Sequence, residues 1–289
     1  MTHQRSPSNK IGAALRMIRP VNCVMMGFAV LVGEVAILGG IPSASQLILG
    51  FSVSFFLTAA AMIINDIVDL EIDRINEPGR PLPSGSLSMN CALALAAATA
   101  TAGIIASVPL SLGAVAVAIL TFLSSLGYNL YGKKTGLAGN AMVSFCVAVP
   151  FLFGGIVVVG GINLTVAVFF LLAFLANLGR EVTKGIADME GDRTKGIRTV
   201  ALVRGPKSAA AVASAFYIMP VLLTPFPYFF GRLGLPYALV VLAVDAGFLY
   251  SSYCILRSQD KRTALQVKTQ ARYWMMLAMI AFLLGGVMR

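Results

Sequence analysis

Apolar residues fall in long runs that short polar or Gly/Pro-containing breaks interrupt. A helix needs about 20 predominantly apolar residues to cross a bilayer core. Nine runs reach that length, roughly 18–38, 46–65, 88–108, 112–131, 138–159, 163–184, 208–229, 236–256 and 270–288. The pattern predicts an all-α, polytopic membrane helix bundle of nine transmembrane helices, folded as a single domain over 1–289. The first ten residues form a polar tail without the charged-then-apolar order of a secretory signal, so the first span is expected to stay in the mature chain.

The breaks are of two kinds. Those after the first, third, fifth and seventh runs ("GGIPSAS", "PLSLG", "VGGIN", "YFFGRLG") are brief and nearly uncharged, whereas those after the even-numbered runs are longer and charged. Of 22 Lys and Arg, all but Arg232 and Arg289 fall on the side of the N-terminus and the even-numbered loops. The positive-inside bias makes that side cytoplasmic and predicts a multi-pass protein of the cell membrane with its N-terminus inside.

Composition supports the membrane assignment: 58% of residues are hydrophobic, only 12% are charged, and the mean hydropathy is +0.85. The net charge of +10 then acts mainly as a topogenic signal and as an attraction to anionic membrane lipids. No soluble basic domain exists to present it to nucleic acid, and no segment points to a protein partner. Cys23, Cys91, Cys146 and Cys254 are widely spaced, lack a CxxC rhythm and read as small core residues. The single histidine, His3, lies in the polar tail, so proton transfer falls to carboxylates, lysines, tyrosines or the substrate.

Ten of the twelve acids gather on the charged side, nine of them in two clusters. In "NDIVDLEID", at the end of the second run, Asn65, Asp69 and Asp73 recur every four residues. A continuing helix would stack them on one face about 6 Å apart, with Asp66 alongside. Carboxylates so close repel one another, which makes a bound divalent cation their natural partner. Oxygen-only donors select a hard ion such as Mg2+. A second stripe, Glu181, Lys184, Asp188 and Asp192, closes the sixth run in "GREVTKGIADMEGDRT". Both runs point the same way, so their acidic ends can face each other across a bundle mouth and hold a diphosphate through bridging Mg2+. Glu71, Glu77 and Glu190 lie off these stripes and read as solvated charges. The competing reading, in which all these acids are solvated loop charges paired with Arg74, Arg80 and Arg193, is disfavoured because ionisable groups at membrane depth are costly and usually functional.

"NDIVDLEID" resembles the NDxxDxxxD motif, and "DMEGD" the DxxxD motif, of the UbiA superfamily of intramembrane prenyltransferases. The span count, the motif order and the flanking "RINEPGRPLPSG" and "GDRTKGIRT" agree with it over nearly the whole chain. The resemblance implies transfer of an isoprenoid chain from a prenyl diphosphate to an acceptor, with Mg2+ held between the motifs and an active site opening to the cytoplasm. It implies catalytic roles for Asp66, Asp69, Asp73, Asp188 and Asp192, and metal binding by Asn65, Asp69, Asp73, Asp188 and Asp192. Substrate contacts would come from Tyr128, Tyr131 and Lys133 after the fourth span, from Arg19 and Asn22 in "RPVN", and from Arg74, Lys184, Lys195 and Arg198; Lys134 and Arg204 are further cations near the same mouth.

Acceptors in this superfamily range from aromatic acids to chlorophyllide and glycerol phosphate ethers. "GREVTKGIADMEGDRTKGIRTVAL" is most similar to archaeal enzymes of ether-lipid synthesis, which implies a geranylgeranyl diphosphate donor and a phosphorylated lipid acceptor, geranylgeranylglyceryl phosphate, attacked through its glycerol C2 hydroxyl. "DLEIDRINEPGRPLPSG" also resembles chlorophyll synthases, which keeps chlorophyllide and aromatic acceptors open. A secondary transporter is the rival class, but transporters place their acids at the bilayer midplane. Here only Glu34 and Asp245 lie within spans away from the charged ends.

Overall fold

A computed structural model describes residues 7–194, 196–231 and 233–288. His3, Lys195, Arg232 and Arg289 lie outside the described residues. The elements are α1 (Pro7–Ile18), α2 (Pro20–Leu38), α3 (Ala44–Val68), α4 (Leu70–Asn76), α5 (Met89–Ser107), α6 (Leu112–Leu130), α7 (Leu137–Val159), α8 (Leu164–Ala187), α9 (Met189–Thr194), α10 (Val200–Arg204), α11 (Pro206–Leu223), α12 (Pro225–Phe229), α13 (Leu235–Arg257) and α14 (Lys261–Val287). Among the described residues nine helices are long and apolar enough to cross a membrane: α2, α3, α5, α6, α7, α8, α11 with α12, α13 and α14.

Three features depart from the hydropathy pattern. An extra helix, α1, precedes the first span. The seventh span breaks at Thr224, where Pro225 and Pro227 follow a helix that already holds Pro220. The last helix begins at Lys261, nine residues before the apolar run, because Asp260 caps it by accepting from the Thr263 amide at 2.9 Å.

Packing places the spans around a lumen. α2 lies against α3, α7 and α14; α8 lies against α7, α11 and α14; α6 closes the gap between α3 and α7; α5 packs outside on α3. Small residues permit the closest approach. A Cβ on Gly33 would lie 2.4 Å from the Phe151 carbonyl oxygen, and one on Gly154 would lie 2.4 Å from that of Val30, so α2 and α7 meet backbone to backbone. Beyond this crossing Phe169 and Phe282 stack at 3.8 Å between centroids, and Phe151 meets both edge-on.

Candidate active site

Both acidic motifs sit where a long helix bends into a short one. α3 ends at Val68, Asp69 adopts φ −86° and ψ 3°, and α4 begins at Leu70. The hydrogen-bond ladder nevertheless continues through the bend, from the Asp69 amide to the Asn65 carbonyl (3.0 Å) and from the Asp73 amide to the Asp69 carbonyl (2.8 Å). The four-residue stripe therefore survives. The second motif repeats the device: α8 ends at Ala187, Asp188 has φ −102° and ψ 10°, and its amide and that of Asp192 bond back to Lys184 and Asp188 at 3.0 and 2.9 Å.

Cations hold the first stripe in place. Asp66, with its side chain 5% exposed, accepts from Arg19 at 2.5 Å and lies 3.4 Å from Arg80. Arg80 turns its guanidinium on Asp73 as well, at 2.6 Å. Lys133, from the 3-10 turn after α6, reaches Asp69 at 2.7 Å, and the Asn65 amide donates to the same carboxylate at 3.1 Å. Burial depresses the pKa of Arg80, but its hydrogen bond to Asp73 and the neighbouring carboxylates outweigh that and raise it. For Lys133 burial wins over the pull of Asp69, so its ammonium is held below the usual lysine range.

On the facing wall Glu181 pairs with Arg180 at 2.8 Å and with Lys184 at 3.5 Å. Tyr128 stands between the two walls, with Lys184, Glu181 and Asp69 among its charged neighbours. These groups form the mouth of a cavity of about 360 Å³ that runs between α2, α3, α6, α7, α8, α13 and α14. Asn65, Tyr128 and Glu181 line it at the charged end, and Val53, Leu57, Phe151 and Phe282 line it deeper in. Asn22 lines it near the mouth, with its amide 3.8 Å from the Met62 sulfur.

Other expected site residues stand apart. Tyr131 is 77% exposed. Arg74, 58% exposed, pairs with Glu71 at 3.0 Å instead of turning to the mouth. Arg198 is exposed, and its amide bonds the Lys134 carbonyl at 3.5 Å, tying the loop after α9 to the α6–α7 connection. Lys195 lies outside the described residues. Conversely, nothing in the sequence singled out Arg80 or Arg180 as site residues. Arg80 lies in "RINEPGRPLPSG" beside the motif, and that proximity was its one visible signal.

No three described His, Cys, Asp or Glu residues converge as a preformed metal cage. The chemistry of the donors still fits Mg2+: Asp66, Asp69, Asp73, Asp188, Asp192 and the Asn65 amide offer only oxygen. Mg2+ is commonly held by one or two carboxylates together with substrate phosphate oxygens and water. Separate carboxylates along a rim, those of the first motif each beside an exchangeable cation, suit an ion that arrives with a diphosphate.

An apolar lumen enclosed by membrane-spanning helices, with a mouth of interleaved carboxylates and cations, defines a polytopic membrane enzyme for a long apolar substrate with an anionic head. The chain belongs to the UbiA prenyltransferase family, which matches residues 26–284. It is a prenyltransferase. It is 37% identical to the digeranylgeranylglyceryl phosphate synthase of Thermococcus kodakarensis over 96% of this chain and 99% of that protein. It is 36% identical to the enzyme of the same name from Thermococcus gammatolerans over 96% and 100%. A solved digeranylgeranylglyceryl phosphate synthase structure superposes with a TM-score of 0.82 at 31% identity, covering 97% of this chain and 99% of that one. A UbiA homolog from Archaeoglobus fulgidus bound to GPP and Mg2+ shares the fold, with a TM-score of 0.71 at 16% identity over 93% and 99%.

Proposed function

We propose that the protein transfers a geranylgeranyl group from geranylgeranyl diphosphate to the glycerol C2 hydroxyl of geranylgeranylglyceryl phosphate. One observation carries this reading: near full-length similarity, at 36–37% identity, to enzymes named for that product. The geometry supports prenyl transfer, since a diphosphate at the mouth leaves its apolar tail nowhere to go but the lumen. Asn65, Asp69, Asp73, Asp188 and Asp192 would hold Mg2+, which when bound neutralises negative charge on the leaving diphosphate.

The chain's own cations share that task. Lys133, Arg80 and Lys184 stand around the mouth and compensate charge on the diphosphate as the allylic C–O bond breaks. Tyr128, at the junction of mouth and lumen, limits where the first isoprene unit can lie. The apolar walls exclude water from the reacting carbon, which favours the acceptor hydroxyl over hydrolysis. The mouth, the N-terminus and the charged loops face the cytoplasm in this reading.

Purified protein in lipid nanodiscs, given labelled geranylgeranyl diphosphate, Mg2+ and a panel of acceptors, tests the assignment. The expected product is the digeranylgeranyl ether phosphate, lost when EDTA is added. Prenylation of 4-hydroxybenzoate or a chlorophyllide, with none of geranylgeranylglyceryl phosphate, would overturn the acceptor.

A further inference from the structure

Two guanidinium groups line the cavity away from the first acidic motif, Arg180 on α8 and Arg272 on α14. The stacked rings of Phe169 and Phe282 fix the register between these helices. Arg180 lies eleven residues from Phe169, and Arg272 lies ten from Phe282. As the sixth and ninth spans, α8 and α14 run in opposite directions. At a rise of about 1.5 Å per residue both arginines therefore stand about 15–17 Å from the stacked rings, at one level of the lumen.

Their charge balance differs from that of every cation at the first motif. Arg19, Arg80 and Lys133 are each matched by an aspartate. Arg180 gives Nη1 to Glu181, which also serves Lys184, and its buried Nε has no hydrogen-bond partner. Arg272 has no described carboxylate within ion-pair distance; its guanidinium lies over the adjacent Tyr273 ring, 5.6 Å from the centroid. Arg272 is exposed at the basic end of its span and lines the same cavity as Arg180, which must accept two anionic substrates.

We propose that Arg272 binds the phosphate of the acceptor, a glyceryl phosphate ether, with Arg180 adding positive charge at the same level. The assignment rests on the acceptor class proposed above. A guanidinium matches a phosphate monoester with two parallel N–H donors, which an ammonium cannot do. α3 and α14 occupy different walls of the cavity, so donor diphosphate and acceptor phosphate are held apart while both apolar tails share the lumen. Arg272 then selects phosphorylated over neutral acceptors.

The test compares wild type, Arg272→Gln and Arg272→Lys with geranylgeranylglyceryl phosphate and with its dephosphorylated alcohol. In R272Q the KM for the phosphorylated acceptor should rise at least tenfold while the donor KM stays within twofold and turnover of the alcohol is unchanged; R272K should recover part of the loss. An unaltered acceptor KM, an equal rise in both KM values, or equal losses with the two acceptors overturns the assignment. Should R272Q fail to fold, R272K is read in the same way, with a threefold rise in acceptor KM alone as support and no rise as refutation. A wild-type enzyme inert towards geranylgeranylglyceryl phosphate refutes the acceptor class itself, whereas an active wild type with an unaffected variant refutes only the role of Arg272.

Discussion

Arg19 reaches Asp66 across 2.5 Å from a backbone at φ 54° and ψ 67°, the one positive φ among the described non-glycine residues. Pro20 opens α2 and disfavours the right-handed helical region for the residue before it. The left-handed alternative costs roughly 1–2 kcal/mol. The chain retains it because Asp66 is almost fully buried and otherwise depends on Arg80 at 3.4 Å. Arg19→Ala should lower apo-protein stability by about 1–3 kcal/mol, towards the low end because the Arg19 side chain is 31% exposed to screening. Arg19→Gly should lose about 1 kcal/mol less, since glycine relieves the strain. Thermal unfolding in detergent checks both, and an R19A melt equal to wild type would show the ion pair to be dispensable.

Gly154 carries a second prediction. An added methyl group there meets the Val30 carbonyl oxygen at 2.4 Å and the Glu34 amide nitrogen at 2.6 Å, both backbone atoms that yield only if α2 and α7 separate. Gly154→Ala should destabilise the protein by about 1–3 kcal/mol or more. Gly40→Ala, with nothing within 4 Å of its added Cβ, should stay within about 0.5 kcal/mol of wild type. Parallel melts of the two variants decide the matter; equal values would mean the helices do not rely on this contact.

Asp260 gives a pH prediction. Its carboxylate accepts from Ser258, from the Thr263 amide at 2.9 Å and from the Thr263 hydroxyl at 2.7 Å, and these bonds hold its pKa well below the usual carboxylate range. A depressed folded pKa contributes stability that is fully present above the unfolded value of about 3.9 and is lost as pH falls below it. Wild type should therefore lose stability between about pH 4 and the folded pKa more steeply than Asp260→Asn, whose amide caps without titrating. Near neutral pH the two should melt alike. Parallel acid slopes would count against the cap.

The same residue shows what the sequence made legible. Hydropathy found nine spans because exclusion of polar groups from hydrocarbon acts on every residue of a helix at once. It placed the start of the last helix at 270 because six of the nine residues from Lys261 to Thr269 are polar or charged, and the signal for their helix, an Asp followed three residues later by a bonding Thr, lies outside that window. The acidic stripes were visible because a four-residue period survives even a bend at Asp69 or Asp188. Arg80 and Arg272 were not, since a cation in a basic loop or near a helix end matches the topogenic background. Only three-dimensional pairing separates Arg80, committed to two aspartates, from Arg272, committed to none. Arg74 adjoins the first motif in sequence and Tyr131 adjoins Lys133, but the bend into α4 and the turn after α6 carry them to the surface.

Sidedness predicts a labelling pattern. In a background lacking the native cysteines, Glu77→Cys lies on the basic side and Ser45→Cys on the other, both at exposed positions. An impermeant maleimide added outside intact cells should modify Ser45→Cys and reach Glu77→Cys only after lysis. Equal labelling of both from outside would remove the cytoplasmic placement of the mouth.

Asp69 and Asp188 should be equally necessary for turnover and unequally important for stability. Each offers a carboxylate at a helix bend, so Asp69→Asn and Asp188→Asn should each lower kcat/KM on the order of 10²–10³-fold at saturating Mg2+. Their resting partners differ. Asp69 neutralises the Lys133 ammonium at 2.7 Å, whereas Asp188 pairs with no described cation in the ligand-free state. Asp69→Asn strands a largely buried lysine and should cost about 1–2 kcal/mol of apo stability after allowance for the 19% exposure of Lys133; Asp188→Asn should shift it by less than about 0.5 kcal/mol. If the carboxylates hold Mg2+ with the donor diphosphate, thermal stabilisation by Mg2+ and a non-hydrolysable prenyl diphosphate analogue should vanish in both variants. Undiminished turnover in either variant would reduce that aspartate to a solvated loop charge, and retained stabilisation by the analogue would move the metal site elsewhere.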